Sequence, residues 1–468
     1  MVNKYYIKEL LKNEKLFLNK KILIEGWVRS IRYSIFVSLN DGSTVKNLQI
    51  ILQKNLDKSI LKKITIGTSI KVVGFIEKSL GREQSIELKS IYLYIHKSVD
   101  TTYIQKSILQ PKKHTLEKLR KQAHLRFQTN IFSCIMRIRH YTSFCIHKYF
   151  NKKNFFYIHT PIITTSNCEG NSKMFHITTI DNNSTLSYKD YYKDFFKKKT
   201  YLSVSGQLEA ESAAIGLGKV YTFGPVFRAE NSNTSKHLAE FWMVEPEIAF
   251  YDLNDNINLA EDCIKNIIKY VLYNCLDDLY FLEKNLKKWN NKKQDFLINR
   301  LKFVLKKPFQ RINYTEAIKI INKEYKKIKY NPIVWGMDFQ SEHEQFLVNK
   351  YFNIPIVIYN YPSCIKPFYM KINEDGLTVK AMDIIFPYIG EIIGGSQREE
   401  RYEFLINRIK KTKISKKNLW WYIETRLFGS VPHSGFGLGL DRLIQFITGM
   451  KNIRDVIPFP RTPNNAEF

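Results

Sequence analysis

Along the first hundred residues the apolar positions fall in short runs. Between Lys21 and Ile95, the segments KILIEGWVRSIRY, FVSLNDGS, NLQIIL, SIKVVGFIEKS and SIELKSIYLYI read as short strands. Asp41–Gly42, Gly67 and Gly81 supply turn signals between them. Five short strands in this length predict a small β-barrel. Thr101 to His124, with Pro111, is polar and basic and reads as a connector. The pattern then changes. From Arg126 to Phe150, Phe127, Ile131, Ile135, Ile138 and Phe144 recur near helical spacing and predict an amphipathic helix. From Lys219 to Phe250, two aromatic and aliphatic runs flank a polar loop, Asn231 to His237, which predicts a long β-hairpin. Asp252 to Lys307 has a Lys/Asn/Leu-rich helical pattern and reads as an insertion with a solvated charged face. Asp181 to Lys199 reads as a polar surface loop, and no internal repeat is found.

At 468 residues the chain exceeds a usual single core, so two or more domains are expected. A hydrophobic content of 44% excludes wholesale disorder. No apolar run is long enough to span a bilayer. The opening MVNKYYIKELLKNEK lacks an apolar h-region and reads as mature protein. The net charge of +29, from 73 basic and 44 acidic residues, favours a polyanionic partner through steering and counterion release. A/T-biased coding, which enriches Lys, Ile, Asn, Tyr and Phe, accounts for the same excess, so the charge is supporting evidence only. Six scattered cysteines without a CxxC pair point to neither a zinc site nor a disulfide framework. Reduced thiols in a cytoplasm are expected.

The hairpin carries the chemistry. Arg228 and Glu230 close its first strand, and His237, Glu240 and Glu245 line the return among Phe, Trp and Met. Burying such groups unpaired costs several kcal/mol, so the sheet is building a polar pocket. An arginine beside a carboxylate-lined pocket suits a substrate bearing both phosphate and amine.

FRAENSN…HLAEF in this hairpin resembles motif 2 of the class II aminoacyl-tRNA synthetases, in the form of the aspartyl/asparaginyl/lysyl subgroup. IHTPIITTSNCEG (Ile158 to Gly170, with Pro161) is similar to motif 1, and GFGLGLDRL (Gly435 to Leu443) resembles motif 3. YLSVSGQLEAE and EIIGGSQREER supply the pocket signatures between them. The resemblance covers essentially the whole chain, and five motifs in family order make chance similarity implausible. It is closest to the bacterial-type asparaginyl enzymes.

The resemblance implies an α+β chain: an N-terminal OB-fold β-barrel that binds the anticodon (1–103), a connector (104–124), and a class II catalytic domain (125–468) whose antiparallel sheet is flanked by helices. The helical insertion would span about 252–307. The helix after the connector and the Pro161 strand would form a homodimer interface. The implied reaction activates L-asparagine with ATP to asparaginyl-adenylate and pyrophosphate. Asparagine then passes to the 3′ end of tRNA(Asn). The implied partners are thus tRNA(Asn), L-asparagine and ATP, in the cytoplasm and away from membranes.

The attacking carboxylate is already ionised, so catalysis reduces to positioning and charge neutralisation. By the resemblance, Arg228 bridges the α-phosphate and the substrate carboxylate, a task for a planar fork of donors. Glu230 meets the adenine amino group, Phe241 stacks on adenine, His237 reaches the distal phosphate, and Arg442 lies beside the terminal phosphates. Gly435, Gly437 and Gly439 are expected to let backbone approach a ligand closely. Asp383 and Glu391, either side of the turn FPYIG, would hold Mg²⁺ on the ATP phosphates. Glu169 and Gln207 match positions that hold the substrate ammonium, and Arg398 the arginine that reads the side-chain end. Aspartyl enzymes carry a lysine where this chain has Ala210. Its absence, with Glu245 placed to accept from an amide NH₂, argues for asparagine. A structural salt bridge between Arg398 and Glu245 is the alternative. In the barrel, Phe36, Gln49 and Glu87 lie where relatives stack on and read anticodon bases.

One departure stands out: the motif 2 loop has Lys236 where the family usually has arginine. Rival readings are an aspartyl or relaxed-specificity enzyme, a lysyl relative, an asparagine-forming amidating enzyme, and an inert RNA-binding paralogue. Ala210 and Glu245 oppose the aspartyl reading, and Arg228, Glu391 and Arg442 oppose the last.

Overall fold

The computed structural model describes residues 2–81, 84–110, 112, 114–166, 173–181, 190–290, 297–328, 332–412 and 414–468. By its contacts the chain divides into two compact units. One comprises 1–139 with 275–294 and the terminal Phe468; the other comprises 140–274 and 295–467.

The first unit holds the expected barrel. Its strands are β1 (Lys21–Arg32), β2 (Phe36–Asn40), β3 (Leu48–Ile51), β4 (Ser69–Lys78) and β5 (Ile86–Lys97), closed in the order β1-β2-β3-β5-β4. Strand alternation sends Ile22, Ile24, Val37, Ile50, Val72 and Leu88 inward, each at most 1% exposed. The alternate positions face outward. Closure leaves no strand edge to pair with another chain. Gly42 and Gly67 adopt positive φ at the turns where the sequence placed them. In the same unit Arg137 grips Asp278 through both Nε and Nη2, the latter at 2.7 Å.

The second unit is built on an eight-stranded sheet. Its early strands are β6 (Phe156–Tyr157), β10 (Lys219–Phe227) and β11 (Glu240–Ala249). Between β6 and β10 in sequence come β7 (Ile163–Thr164), β8 (His176–Ile177) and β9 (Thr200–Leu202), which form a separate three-stranded sheet. The later strands are β12 (Gln310–Asn313), β13 (Ile356–Pro362), β14 (Thr378–Phe386), β15 (Gly390–Gln397) and β16 (His433–Gly439). The order is β12-β13-β14-β15-β16-β11-β10-β6, antiparallel except at its two end pairs. The hairpin read from the sequence is β10–β11, paired from Lys219–Ile248 to Phe227–Glu240.

Two readings need correcting. Phe144, expected on the buried stripe of the Asn130–Lys152 helix, is 55% exposed, while Ile135, Ile138, Ile146 and Phe150 are buried. A helix of this length offers several apolar faces, and neighbours choose among them. The segment after Asp252 is helical as expected: Leu253–Asn274, Leu276–Asn290 and Leu297–Lys306. Its first helix, however, is no solvated appendage. It buries Ile257, Ala260, Ile264, Ile267 and Val271 and packs along β14, β15 and β16. Its Asn256 Nδ2 donates to the Gly435 carbonyl at 2.8 Å.

Among the described residues, no helix is long and apolar enough to cross a membrane.

Candidate active site

A cavity of about 820 Å³ opens on the sheet of the second unit, lined among others by Gln207, Arg228, Glu230, Glu245, Glu247, Asp383, Glu391 and Arg398. A smaller one of about 140 Å³ adjoins it through Arg228, Glu230 and Glu391, and adds His237, Phe241 and Arg442. The structure therefore gathers the sequence-predicted side chains of this unit along one continuous groove. Glu169 lies outside the described residues.

At the shallow end, the Arg228 guanidinium stands 5.4 Å over the Phe241 ring, a cation–π geometry. Arg442 is held by its Nη1 donating to the Glu391 carbonyl at 2.9 Å. His237 Nδ1 meets the hydroxyls of Thr234 (2.6 Å) and Ser232 (3.0 Å), which leaves Nε2 as the atom that would reach a phosphate. Burial, with Arg442 and Arg228 nearby, holds this histidine below its usual range. Lys236, the departure from the family pattern, also sits partly buried here, its pKa lowered by burial against the attraction of Glu344.

In the middle of the groove, a Cβ on Gly394 would stand 3.0 Å from a Glu391 oxygen and 3.4 Å from an Asp383 oxygen. The two carboxylates thus converge over that glycine. Hard oxygen donors at one point fit a Mg²⁺ ion. No cluster of three or more His, Cys, Asp or Glu able to hold a metal occurs among the described residues. Sequence reasoning missed Lys366, whose Nζ lies 2.6 Å from Asp383. Burial and neighbouring Glu391 push the Asp383 carboxyl up while Lys366 pulls it down, the net being upward.

At the deep end, strand register makes the site. Thr222 faces Glu245 across β10–β11, and Glu247 faces Gly435 across β11–β16. Alternation puts Glu245 and Glu247 on the same face of β11. A Cβ on Gly435 would lie 2.2 Å from the Glu247 carboxylate, so glycine is required there to admit a side chain, not a ligand. Gly437 likewise faces the Met243 methyl, 2.5 Å from a would-be Cβ. Gly439 shows no close approach, the nearest atom being at 3.8 Å. Side chains fill the space beside Gly435 and Gly437, while Gly437 and Gly439 also line the groove.

The partner of Arg398 is Glu247, not Glu245. Arg398 Nε and Nη2 reach its two oxygens at 3.1 and 2.5 Å, a bidentate fork, while Nη1 donates to Ser396 Oγ at 2.8 Å. Glu245 instead accepts from the Gly206 N–H (3.0 Å), Thr222 Oγ1 (3.1 Å) and the Ser205 hydroxyl. Its charge lies at the N-terminus of the Gln207–Leu217 helix, where the dipole favours an anion. Gln207 Nε2 donates to Glu211 one turn on, at 2.9 Å.

Glu211 is the largest omission of the sequence reading. Fully buried, it accepts from Tyr422 Oη (2.6 Å), Arg426 Nη2 (2.7 Å) and His433 Nε2 (3.2 Å), with Arg398 Nε at 3.7 Å. Burial opposes its ionisation, yet Arg426, the His433 hydrogen bond and Arg398 hold its carboxyl well below the usual range. Glu247 goes the other way: burial and the like charges of Glu211 and Glu245 outweigh Arg398 and push it up. The i, i+4 spacing of Gln207 and Glu211 on one helix face was the available signal, as was the two-residue spacing of Glu245 and Glu247.

The barrel brings its predicted residues together as well. Gln49 and Glu87 are register partners on β3 and β5, joined by a 3.0 Å hydrogen bond. Ser79 adds another bond to Glu87 at 3.0 Å. Phe36 lies on the neighbouring β2, two residues from the partner of Gln49.

A family model described as tRNA synthetases class II (D, K and N) matches residues 115–463. The chain belongs to this class II synthetase family. A second model, OB-fold nucleic acid binding domain, matches residues 22–94. Among relatives of this synthetase, the asparagine–tRNA ligase of Cytophaga hutchinsonii is 52% identical over 471 residues, covering 99% of each chain. That of Azobacteroides pseudotrichonymphae is 52% identical over 458, covering 96% of each. The crystal structure of asparaginyl-tRNA synthetase from Pyrococcus horikoshii complexed with asparaginyl-adenylate is 31% identical. It matches with a TM-score of 0.84 over 99% of both chains.

Proposed function

We propose that this synthetase is an asparagine–tRNA ligase, which activates L-asparagine with ATP and transfers it to the 3′ end of tRNA(Asn). The observation that carries the reading is one groove with phosphate-binding cations at one end and a buried arginine–carboxylate pair at the other. The full-length similarity to asparagine–tRNA ligases supports it.

In this reading ATP lies along the shallow end. Phe241 stacks on adenine, Glu230 accepts from its amino group, and His237 and Arg442 meet the departing pyrophosphate. Arg228 bridges the α-phosphate and the amino-acid carboxylate, which attacks phosphorus in line with the leaving group. Preorganised cations neutralise the charge that builds there. Asp383 and Glu391 would hold Mg²⁺, which neutralises ATP phosphate oxygens when bound. Glu169 and Gln207 take the ammonium, Arg398 donates to the side-chain oxygen, and Glu245 accepts from the amide NH₂. A terminal hydroxyl of tRNA then attacks the adenylate's carbonyl carbon, forming the ester as the bond to phosphate breaks and AMP leaves.

The domain roles follow. Residues 1–103 would bind the anticodon through Phe36, Gln49 and Glu87, 104–124 would connect, and 125–468 would catalyse, in a cytoplasmic homodimer. ATP–pyrophosphate exchange with asparagine, aspartate and lysine offered separately tests the reading. Exchange is expected with asparagine and Mg²⁺. Exchange that runs on aspartate instead would overturn the substrate.

A further inference from the structure

Beneath the amino-acid end of the groove lies an ionic cluster that meets the groove through Gln207, Glu247 and Arg398. Two guanidinium groups, Arg398 and Arg426, face two carboxylates, Glu211 and Glu247. Glu211 is the hub: its Oε2 takes Arg426, Tyr422 and His433, and its Oε1 takes Gln207 and approaches Arg398. All these side chains except Gln207, at 9%, are at most 2% exposed, so their charges are screened less than charges at the surface.

We propose that Glu211 is a specificity-determining, positioning residue: by consuming the cationic charge of Arg426 and Arg398, it leaves Arg398 able to donate to an amide oxygen but unable to stabilise a second substrate carboxylate. Glu211 does not touch the substrate; it acts through Arg398 and Gln207. The balance of charge gives the direction. Arg398 and Arg426 face Glu211, which its neighbours hold ionised, and Glu247, whose carboxyl burial pushes up. Removing the Glu211 charge leaves the side-chain end one unit more positive, which an aspartate would satisfy and an asparagine would not. The upward shift of Glu247, caused by burial and by Glu211 and Glu245, agrees: a further anion here is already unwelcome. The sequence contrast fits too, since Ala210 offers no cation from the adjacent position.

This rests on Arg398 reading the side-chain end, so the experiment separates the two. ATP–pyrophosphate exchange is measured with asparagine and with aspartate on the full-length enzyme, with folding followed by circular dichroism. In Glu211→Gln, aspartate becomes usable and the asparagine-to-aspartate ratio of kcat/KM falls by about tenfold or more. Glu211→Asp keeps the charge and keeps the preference, although both activities drop. Arg426→Gln removes a cation instead, so aspartate use does not rise. An unchanged ratio in a folded Glu211→Gln overturns the proposal, as does an equal loss of preference in Glu211→Asp. Should Glu211→Gln fail to fold, Arg426→Gln decides: increased aspartate use there refutes the charge account. Arg398→Lys tests the underlying reading alone, because full activity in that variant removes Arg398 from substrate contact whatever Glu211 does.

Discussion

Glu245 holds two jobs at once. Its oxygens anchor the Gly206 N–H, Thr222 and Ser205, and the same carboxylate is proposed to accept from the substrate amide. Glu245→Gln leaves only one amide oxygen to accept and adds a donor where donors already converge. Asparagine use is expected to fall about ten- to a hundredfold, and the preference over aspartate to narrow. Stability should fall by about 1–3 kcal/mol, read from urea midpoints. A stability loss with an unchanged preference would make Glu245 purely structural. Nearby, burial pushes the Glu209 carboxyl up to about 7, with Glu245 and Glu211 adding like charge. Its folded pKa lies above the unfolded value of 4.5, so the protonated form favours folding. The stability this lends is full below the unfolded value and lost as pH rises through the folded one. Glu209→Gln should flatten that decline between pH 5 and 8 in denaturation midpoints; an unaltered slope would place the titration elsewhere.

At the scale of elements, three neighbouring strands cooperate through one missing Cβ. Glu247 on β11 reaches Arg398, just past β15, only because β16 presents Gly435 between them. Gly435→Ala would put an atom 2.2 Å from that carboxylate. The pair must separate, and a broken buried ion pair costs about 3–5 kcal/mol. Asparagine activation should drop at least about a hundredfold, the rate equivalent of about 2.7 kcal/mol. The KM for ATP should hold, since the phosphate end is spanned by other residues. Matching losses for ATP would show that the strand itself, not the pair, had failed. The hairpin β10–β11 was legible in the sequence because two aromatic and aliphatic runs flank a polar loop. The Glu247–Arg398 pairing was not legible, because it joins residues 151 positions apart through register that no local pattern encodes.

At the scale of the whole molecule, the division of labour is testable through the barrel. Gln49 and Glu87 form one hydrogen-bonded pair, with Glu87 itself 7% exposed. A Gln49→Ala, Glu87→Ala double variant should lower kcat/KM for tRNA charging while leaving pyrophosphate exchange intact. Equal loss of both activities in a folded protein would contradict an anticodon role. Charging should also weaken steeply with salt, because phosphate contacts release counterions. Assembly is the other whole-molecule property. Phe144, Phe156, Tyr157, Ile162 and Ile163 are each more than 40% exposed, and in the proposed dimer they would be candidates for the interface. Sedimentation at micromolar concentration should give a dimer, and Phe144→Glu should shift it toward monomer; a monomeric parent protein would remove the dimer from the reading.

Period and punctuation within single segments determined the barrel strands, the hairpin and the helix after the connector. Motif spacing determined the family and most of the groove, because residues that must meet one ligand carry their chemical types at recognisable intervals. Tertiary structure alone decided which partner each charge takes. It gave Arg398 to Glu247, Asp383 to Lys366, and Glu211 to Tyr422, Arg426 and His433, all more than two hundred positions away. It also turned a Lys-rich helical segment into a layer of the sheet and turned Phe144 outward. The physical reason is the same in each case. A local pattern says that a side chain is polar or apolar and how it recurs, but a buried charge is satisfied by whichever opposite charge the packed chain brings within hydrogen-bond reach.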